Sequence, residues 1–130
     1  MTIVDRVREL GLPAGQFVVI GSGVLDALGL RPSGDVDLAV SDTLFDQLKA
    51  DGWRVTARRD GEVLERGDVE AWHGWGPDAD FERLLAGSVM IDEIHFANPQ
   101  FVIDRKRQRG SAKDLTDIKL LEEYLTRGAA

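Results

Sequence analysis

The chain has 130 residues, of which 43% are hydrophobic and 30% are charged, and it contains no cysteine. This length and composition predict one folded domain over residues 1–130, and the absence of cysteine excludes a disulfide scaffold, a thiolate zinc site and a cysteine nucleophile. The net charge of −7 disfavours a protein that coats duplex nucleic acid, because neutralising phosphates requires basic side chains.

Apolar periodicity and turn residues divide the sequence into short helices and strands. In chain order the predicted elements are a helix over 2–10, a strand over 17–20, a helix over 22–29, a strand over 35–40, a helix over 41–52, strands over 53–57, 62–64 and 68–72, a helix over 78–86, a strand over 89–96, and two C-terminal helices that start at Pro99 and Ser111. The uninterrupted apolar run 17–20 predicts a strand buried on both faces. The predicted fold class is therefore α/β or α+β, with a mixed β-sheet flanked by helices and with C-terminal helices.

Local signals add detail to several of these elements. Ser22 is the predicted N-cap of the second helix, Asp60-Gly61 is the predicted turn of a hairpin, and Ser111-x-x-Asp114 resembles a capping box. The apolar stripe predicted for the last helix consists of Leu115, Ile118, Leu121 and Leu125.

Basic residues are concentrated near the C-terminal end of the sequence. Residues 105–130 carry seven basic and four acidic side chains, a net charge of +3, whereas residues 1–104 carry nine basic and nineteen acidic ones, a net charge of −10. An acidic body with a local basic patch suits a cation site beside an anion site. The alternative is that the basic run forms a solvated helix end, where its charges interact favourably with the helix dipole.

The turn Gly21-Ser22-Gly23 lies between the predicted buried strand and the second helix. Glycines let backbone amides approach an anion closely, and a helix start presents free N–H groups, so this turn can hold a phosphate. The alternative is the ordinary preference of strand-to-helix turns for small residues. A dinucleotide-binding fingerprint is excluded because Asp26 occupies its third glycine position, and no Gly-Lys-Ser/Thr follows for a P-loop.

Asp35 and Asp37 form the second candidate site. On a strand, a spacing of two places both carboxylates on one face while Val36 and Leu38 point into the core. Two like charges at this spacing repel each other unless a cation binds them, and Mg²⁺ takes carboxylate ligands together with water and phosphate oxygens. The alternative is a pair of solvated acids on an exposed face.

The two motifs together are more specific than either alone. The segment Val18-Val19-Ile20-Gly21-Ser22, a spacer of twelve residues and Asp35-Val36-Asp37-Leu38 resemble the signature of the nucleotidyltransferase superfamily related to DNA polymerase β. The short chain and the segment Lys113-Asp114-Leu115-Thr116-Asp117-Ile118 further resemble minimal bacterial nucleotidyltransferases, including antitoxin-type and AbiEii-like proteins. The spacer departs from the antitoxin pattern, in which it is shorter.

The resemblance implies roles for individual residues. The implied catalytic and metal-binding residues are Asp35, Asp37 and Glu70, with Asp68 as the alternative third acid; the implied nucleotide-binding residues are Gly21, Ser22, Gly23, Lys106, Arg109 and Lys113. The third acid would be a metal ligand or the base that activates a hydroxyl, although an ordinary surface acid is the alternative for Glu70. Asp92 is disfavoured because its predicted face points into the core, and Asp114 is expected to belong to the capping box.

On this resemblance we predict a nucleotidyltransferase that uses two Mg²⁺ ions to move a nucleoside monophosphate from an NTP, with ATP favoured, to a hydroxyl acceptor. The alternatives are an antitoxin or other module that docks a partner protein such as a cognate toxin, and a catalytic subunit completed by a helical partner. Long nucleic acids are disfavoured as partners by the acidic body. We expect no membrane association and a cytoplasmic location, because charged residues interrupt the N-terminal segment where a signal peptide is apolar.

Two further residue groups have less specific patterns. His73 and His95 lie on different predicted strands with no cysteine or third histidine nearby, which disfavours a zinc site. Trp72 and Trp75 can stack on a base, or they can form packing or partner-contact surface.

Overall fold

The computed structural model describes residues 2–58, 61–75 and 79–128. Its elements are α1 (Ile3–Leu10), β1 (Phe17–Ile20), α2 (Gly23–Ala27), β2 (Val36–Val40), α3 (Asp42–Ala50), β3 (Arg54–Arg58), β4 (Gly61–Arg66), β5 (Val69–Trp72), α4 (Phe81–Ala86), β6 (Val89–Ile91), β7 (Ile94–Phe96), α5 (Pro99–Arg109) and α6 (Ala112–Gly128). The predicted succession of helices and strands is confirmed as far as β5 and again in the C-terminal helices. Asp60 of the predicted hairpin turn and Asp78, the predicted start of α4, lie outside the described residues.

The strands form one seven-stranded mixed sheet in the order β3-β4-β5-β2-β1-β7-β6. β2 pairs with β5, and β1 with β7, in parallel; the other neighbours are antiparallel. β1 lies inside the sheet and all four of its residues are buried, as its apolar sequence predicts. The predicted mixed sheet flanked by helices is therefore confirmed.

Local caps explain where several helices begin. Thr2 and Asp5 form a capping box on α1, and the Ser41 hydroxyl accepts a hydrogen bond from the Leu44 amide at the start of α3. Pro99 occupies the first turn of α5, where its missing N–H has no helical partner to lose. Among the described residues, no helix is both long and apolar enough to cross a lipid bilayer.

The prediction of one strand over 89–96 is wrong, because this segment is a hairpin. Asp92 and Glu93 have φ values of 50° and 68°, and Ile91 pairs with Ile94 across them. Two consecutive left-handed residues form the tight turn whose twist matches a hairpin, and aspartate tolerates that conformation better than most residues. Asp92 therefore lies in a turn, and its predicted inward-pointing position on a strand is also wrong.

The apolar stripe predicted for α6 is wrong at its first position. Leu115 is 59% exposed, whereas Asp114 and Asp117 are buried together with Ile118 and Leu121. The buried positions have the expected helical spacing, but two of them hold acids. Burial of a carboxylate requires compensating partners, and these partners belong to the site described next.

Candidate functional site

Most of the predicted site residues line one cavity of about 1130 Å³. Its acidic wall comes from β2, β5 and the residue before β2, and its basic wall comes from the C-terminal helices and their connection. The predicted residues that line this cavity are Gly21, Ser22, Asp35, Asp37, Glu70, Lys106, Arg109 and Lys113. Gly23 and Asp68 do not line it.

The register of two parallel strands builds the acidic wall. Asp37 of β2 pairs with Glu70 of β5, so their side chains leave the same face of the sheet. Asp35 lies two residues before Asp37 and lines the same cavity. Burial of Asp37, together with the negative charges of Glu70 and Asp35, raises the pKa of the Asp37 carboxyl to about 6, while Arg109 and Lys106 oppose this rise.

These carboxylates have the chemistry of a hard-cation site. Asp35, Asp37 and Glu70 offer only oxygen ligands, the type that Mg²⁺ takes, and a cation between them would offset the burial and the repulsion that raise the pKa of Asp37. Within the described ranges, no three His, Cys, Asp or Glu side chains stand close enough to form a complete metal site by themselves. Because Mg²⁺ retains water and phosphate oxygens among its ligands, the residues fit a cation that binds together with a phosphate.

Gly21 brings the glycine–serine turn against this acid. Its φ of +67° lies in the left-handed region, and a Cβ at this position would be 3.2 Å from Oδ2 of Asp37. Ile20, the preceding residue, pairs with Asp37 across β1 and β2. Glycine is therefore required both by the backbone conformation and by the close approach of the turn to the carboxylate.

Ser22 occupies the predicted N-cap position of α2, but its side chain does not cap the helix. Its backbone is already helical, and its side chain makes no capping hydrogen bond. Instead its Oγ lies 2.9 Å from Oγ of Ser33, which donates to the carbonyl of Asp35 at 2.7 Å. Because Ser33 uses its single hydroxyl proton on that carbonyl, Ser22 donates to Ser33, and the turn is joined to the segment that carries Asp35.

The loop before β2 is held by Asp26, the residue that excluded a dinucleotide fingerprint. Its carboxylate accepts hydrogen bonds from the amides of Ser33 at 2.9 Å and Ile3 at 3.2 Å.

Gly23 has a packing role in the same region. A Cβ there would lie only 2.7 Å from Cγ1 of Val19, so the glycine lets α2 pack closely on β1.

The basic wall, together with Arg31, is a network of ion pairs around two buried carboxylates. Lys106 is 3% exposed, and its Nζ lies 3.0 Å from Asp117 and 3.6 Å from Asp114. Arg31 donates two hydrogen bonds to Asp117, and Nη2 of Arg109 donates to Asp114 at 2.7 Å. Three cations and two carboxylates leave a net charge of +1. The alternative prediction, that the basic run forms a solvated helix end, is wrong for Lys106 because this residue is buried.

The pKa values of the two acids reflect these partners. The hydrogen bond from Arg109 is the main cause that holds the pKa of Asp114 well below its usual range, with a contribution from Ser111. Burial alone would raise the pKa of Asp117, but the hydrogen bonds from Arg31 and Lys106 outweigh it and lower that pKa. Both carboxylates are therefore charged members of the network at neutral pH.

No sequence pattern predicted Arg31 or the structural role of Asp117. A signal for Asp117 was present, because it occupies a buried position of the α6 stripe, and a buried acid indicates a buried cation. Arg31 lies in the loop between α2 and β2, and no local pattern relates it to a residue so distant in sequence.

Lys113 differs from the other cations of the wall. It is exposed, lines the cavity and makes no ion pair with any residue in the described part of the chain. The predicted capping box next to it is confirmed, since the Asp114 amide donates to Oγ of Ser111 at 3.1 Å and the Ser111 amide donates to Asp114. Lys113 therefore leaves its charge available at the start of α6.

The structure separates the two candidates for the third acid. Asp68 precedes β5, forms an ion pair with Arg6 and lines a smaller cavity of about 590 Å³ against α1 and α3. β5 begins at Val69, one residue later than the strand predicted over 68–72, so Asp68 lies just outside it. Glu70 joins the main cavity, where Nη2 of Arg58 lies 3.3 Å from its Oε1.

The two histidines bind separate polar partners. Nδ1 of His73 lies 3.0 Å from Asp42, and the ring stacks on Phe45 with a centroid distance of 3.8 Å. Nδ1 of His95 lies 2.8 Å from Oγ of Ser88. Each imidazole has a local hydrogen-bond partner of its own.

Two solved structures resemble this one. A crystal structure of ANT(2″)-Ia in complex with adenylyl-2″-tobramycin has a TM-score of 0.57 and 19% sequence identity, covering 95% of this chain and 86% of that chain. A solution structure of the antibiotic-resistance factor ANT(2″)-Ia has a TM-score of 0.61 and 20% identity, covering 95% of this chain and 80% of that chain. The sequence matches no protein-family model and no curated protein. The likeness shows the fold, and this chain has a nucleotidyltransferase-like fold, as predicted.

Proposed function

We propose that residues 1–130 form a minimal nucleotidyltransferase domain that uses Mg²⁺ to move a nucleoside monophosphate from an NTP, first of all ATP, to a hydroxyl acceptor. One observation carries the proposal: Asp35, Asp37 and Glu70 meet the Gly21-Ser22 turn in one cavity whose opposite wall is basic. The resemblance of the two motifs to the nucleotidyltransferase superfamily, and the fold shared with ANT(2″)-Ia, support the same activity.

The acids of the cavity divide into two roles. Asp35 and Asp37 would hold Mg²⁺ together with phosphate oxygens, and Glu70 would act as the base or as a third ligand. When bound there, Mg²⁺ neutralises phosphate charge and favours ionisation of the attacking hydroxyl. Glu70 takes the proton of that hydroxyl as its oxygen forms a bond to the α-phosphorus and the bond to the pyrophosphate leaving group breaks.

The basic wall provides the charge that receives the triphosphate. Lys113 contacts the phosphates directly, because its ammonium is exposed and unpaired among the described residues. Lys106 and Arg109 act through the positive potential of their network, since each already pairs with a carboxylate. Gly21 keeps the turn close enough to Asp37 for phosphate and metal to share one site.

Calorimetric binding of each NTP, with and without Mg²⁺, tests the proposal before any acceptor is identified. We expect Mg²⁺-dependent binding to the wild type and its loss in the Asp35→Asn/Asp37→Asn double variant. Asp68→Asn is the matched control, because it removes a nearby acid that does not line the cavity. Folded wild type that binds no NTP, or a double variant that binds like the wild type, would contradict the proposal and favour a module that docks a partner protein.

A further inference from the structure

Two aromatic side chains line the cavity, and the proposed phosphate and metal chemistry does not use them. Trp72 and Trp75 are both half-buried and both line the cavity that contains Asp37 and Glu70. We propose that these two tryptophans form a subsite that stacks a nucleobase. The inference rests on the proposed function, because the stacked ring is that of a nucleotide only if phosphates bind at the acids of the same cavity.

The position of Trp72 relative to the acids follows from strand geometry. Trp72 lies two residues after Glu70 on β5, so its side chain leaves the same face of the sheet, about 7 Å further along the strand. Trp75 follows β5 and lies close to α5 through its contact with Phe101. A nucleotide whose phosphates lie at Asp37 therefore has aromatic surface within reach of its base.

Neighbouring side chains hold both indole rings in place. The guanidinium of Arg58 lies 5.7 Å from the ring centre of Trp72, and that of Arg105 lies 5.9 Å from the ring centre of Trp75. Trp75 also packs on Phe101 with a centroid distance of 5.7 Å. Rings that already pack against neighbouring side chains lose less conformational entropy when a ligand stacks on them, which favours binding.

An unsatisfied donor on Arg105, next to Trp75, favours a nucleobase over an aliphatic group. Nε of Arg105 is buried and has no hydrogen-bond partner among the described residues, although Arg105 lines the cavity. A buried N–H without a partner is unfavourable, so the free energy falls when the Arg105 side chain turns Nε towards an acceptor in the cavity. Nucleobases combine a flat π-face with ring nitrogen and carbonyl acceptors, so one ligand supplies both interactions.

The stacked base has two possible sources with the same chemistry: the NTP itself, or a nucleotide-bearing acceptor. Calorimetry in Mg²⁺ with three probes separates them: inorganic tripolyphosphate, ATP, and adenosine added to protein saturated with tripolyphosphate. The variants are Trp72→Ala and Trp75→Ala, with Trp72→Phe and Trp75→Phe as the conservative pair that keeps an aromatic face.

If the base of the NTP is stacked, the wild type binds ATP roughly tenfold more tightly than tripolyphosphate, and each alanine variant loses most of that factor. Tripolyphosphate affinity stays unchanged, which shows that the variant is folded, and the phenylalanine variants keep most of the ATP affinity. If an acceptor base is stacked, ATP and tripolyphosphate bind equally, and adenosine binds the saturated protein with an affinity that the alanine variants lower. Either result supports the subsite.

Equal binding of ATP and tripolyphosphate, combined with no adenosine binding, overturns the subsite and leaves the proposed function intact. The subsite is also overturned if the alanine variants retain the full wild-type preference for ATP. Conversely, adenosine that binds in a tryptophan-dependent way without any binding of tripolyphosphate supports the subsite and contradicts nucleotidyl transfer. The two proposals therefore fail separately.

Tryptophan fluorescence provides a second readout of the same contact. The chain has three tryptophans, and Trp53 is 6% exposed and lines the smaller cavity instead. Trp53→Phe is thus the matched control: quenching of fluorescence by the bound nucleoside persists in this variant. In the Trp72→Phe/Trp75→Phe double variant the remaining emission comes from Trp53, and we expect it to be insensitive to the nucleoside. The subsite is overturned if quenching is lost in the Trp53→Phe variant and retained in the Trp72→Phe/Trp75→Phe double variant.

Discussion

Arg31 donates two hydrogen bonds to the carboxylate of Asp117, at 2.6 and 2.7 Å, although the two residues are 86 positions apart in sequence. The same carboxylate pairs with the buried Lys106 of α5. Through this one side chain, the loop that leads to Asp35 is fixed to both C-terminal helices. The acidic and basic walls of the cavity are thus mechanically connected.

Replacing Asp117 with Asn is expected to lower the free energy of unfolding by about 3 kcal/mol, because it leaves Lys106 and Arg31 without their shared counter-charge. Urea unfolding followed by circular dichroism measures the loss. Glu122→Gln is the control, since its ion pair with Arg107 is half exposed on both sides and contributes about 0.5 kcal/mol or less. Equal losses in the two variants would contradict a structural role for the network.

Asp37→Asn is expected to stabilise the metal-free protein at neutral pH. The folded pKa of about 6 lies above the ordinary value of 3.8, so the stabilising contribution of the neutral form is complete below pH 3.8 and is lost as the pH rises through 6. The asparagine of the variant is neutral at every pH. Its free energy of unfolding should therefore exceed that of the wild type by about 2 kcal/mol above pH 6, allowing for partial solvent screening.

Urea unfolding in the presence of a chelator, at several pH values between 4 and 8, checks this expectation. The difference between variant and wild type should vanish towards the acidic end of the series. A variant that is less stable than the wild type at neutral pH, or a difference that does not change with pH, would show that burial and repulsion do not act on Asp37 as described.

Gly21→Ala and Gly29→Ala separate backbone strain from interference with the site. Both glycines have positive φ values, +67° and +74°, so alanine should cost about 1 kcal/mol of stability at either position. Only at Gly21 does the new Cβ come close to Oδ2 of Asp37; at Gly29 nothing lies within 4 Å. We therefore expect the Gly21 variant alone to lose Mg²⁺-dependent NTP binding, measured by calorimetry. Equal binding by the two variants would remove Gly21 from the site.

Glu70→Gln is expected to slow nucleotidyl transfer by about 10²–10⁴-fold, because the amide cannot accept the hydroxyl proton. Asp68→Asn should leave the rate unchanged, since Asp68 lies at the other cavity with Arg6. Release of pyrophosphate from Mg²⁺-ATP measures both rates, with water or an added alcohol as the attacking group. The opposite order of effects would identify Asp68 as the functional acid.

Local features of the sequence determined the parts of the site that lie within a few residues of each other. The apolar run of β1 predicted an interior strand, the period of two placed Asp35 and Asp37 on one face, and Ser111 with Asp114 predicted the capping box. Each of these predictions rests on a pattern of residues at most four positions apart, which can be read directly from the sequence.

Only the tertiary structure decided which distant residues join Asp35 and Asp37 in the site. Glu70 stands beside Asp37 because β2 and β5 pair in parallel with one register, whereas Asp68 pairs with Arg6 and lines the other cavity. The exposure of Leu115 and the burial of Asp117 depend on cations contributed by α5 and by the loop before β2. Helical periodicity specifies that one face of α6 is buried, but which charges that face meets is set by chain packing across the whole fold.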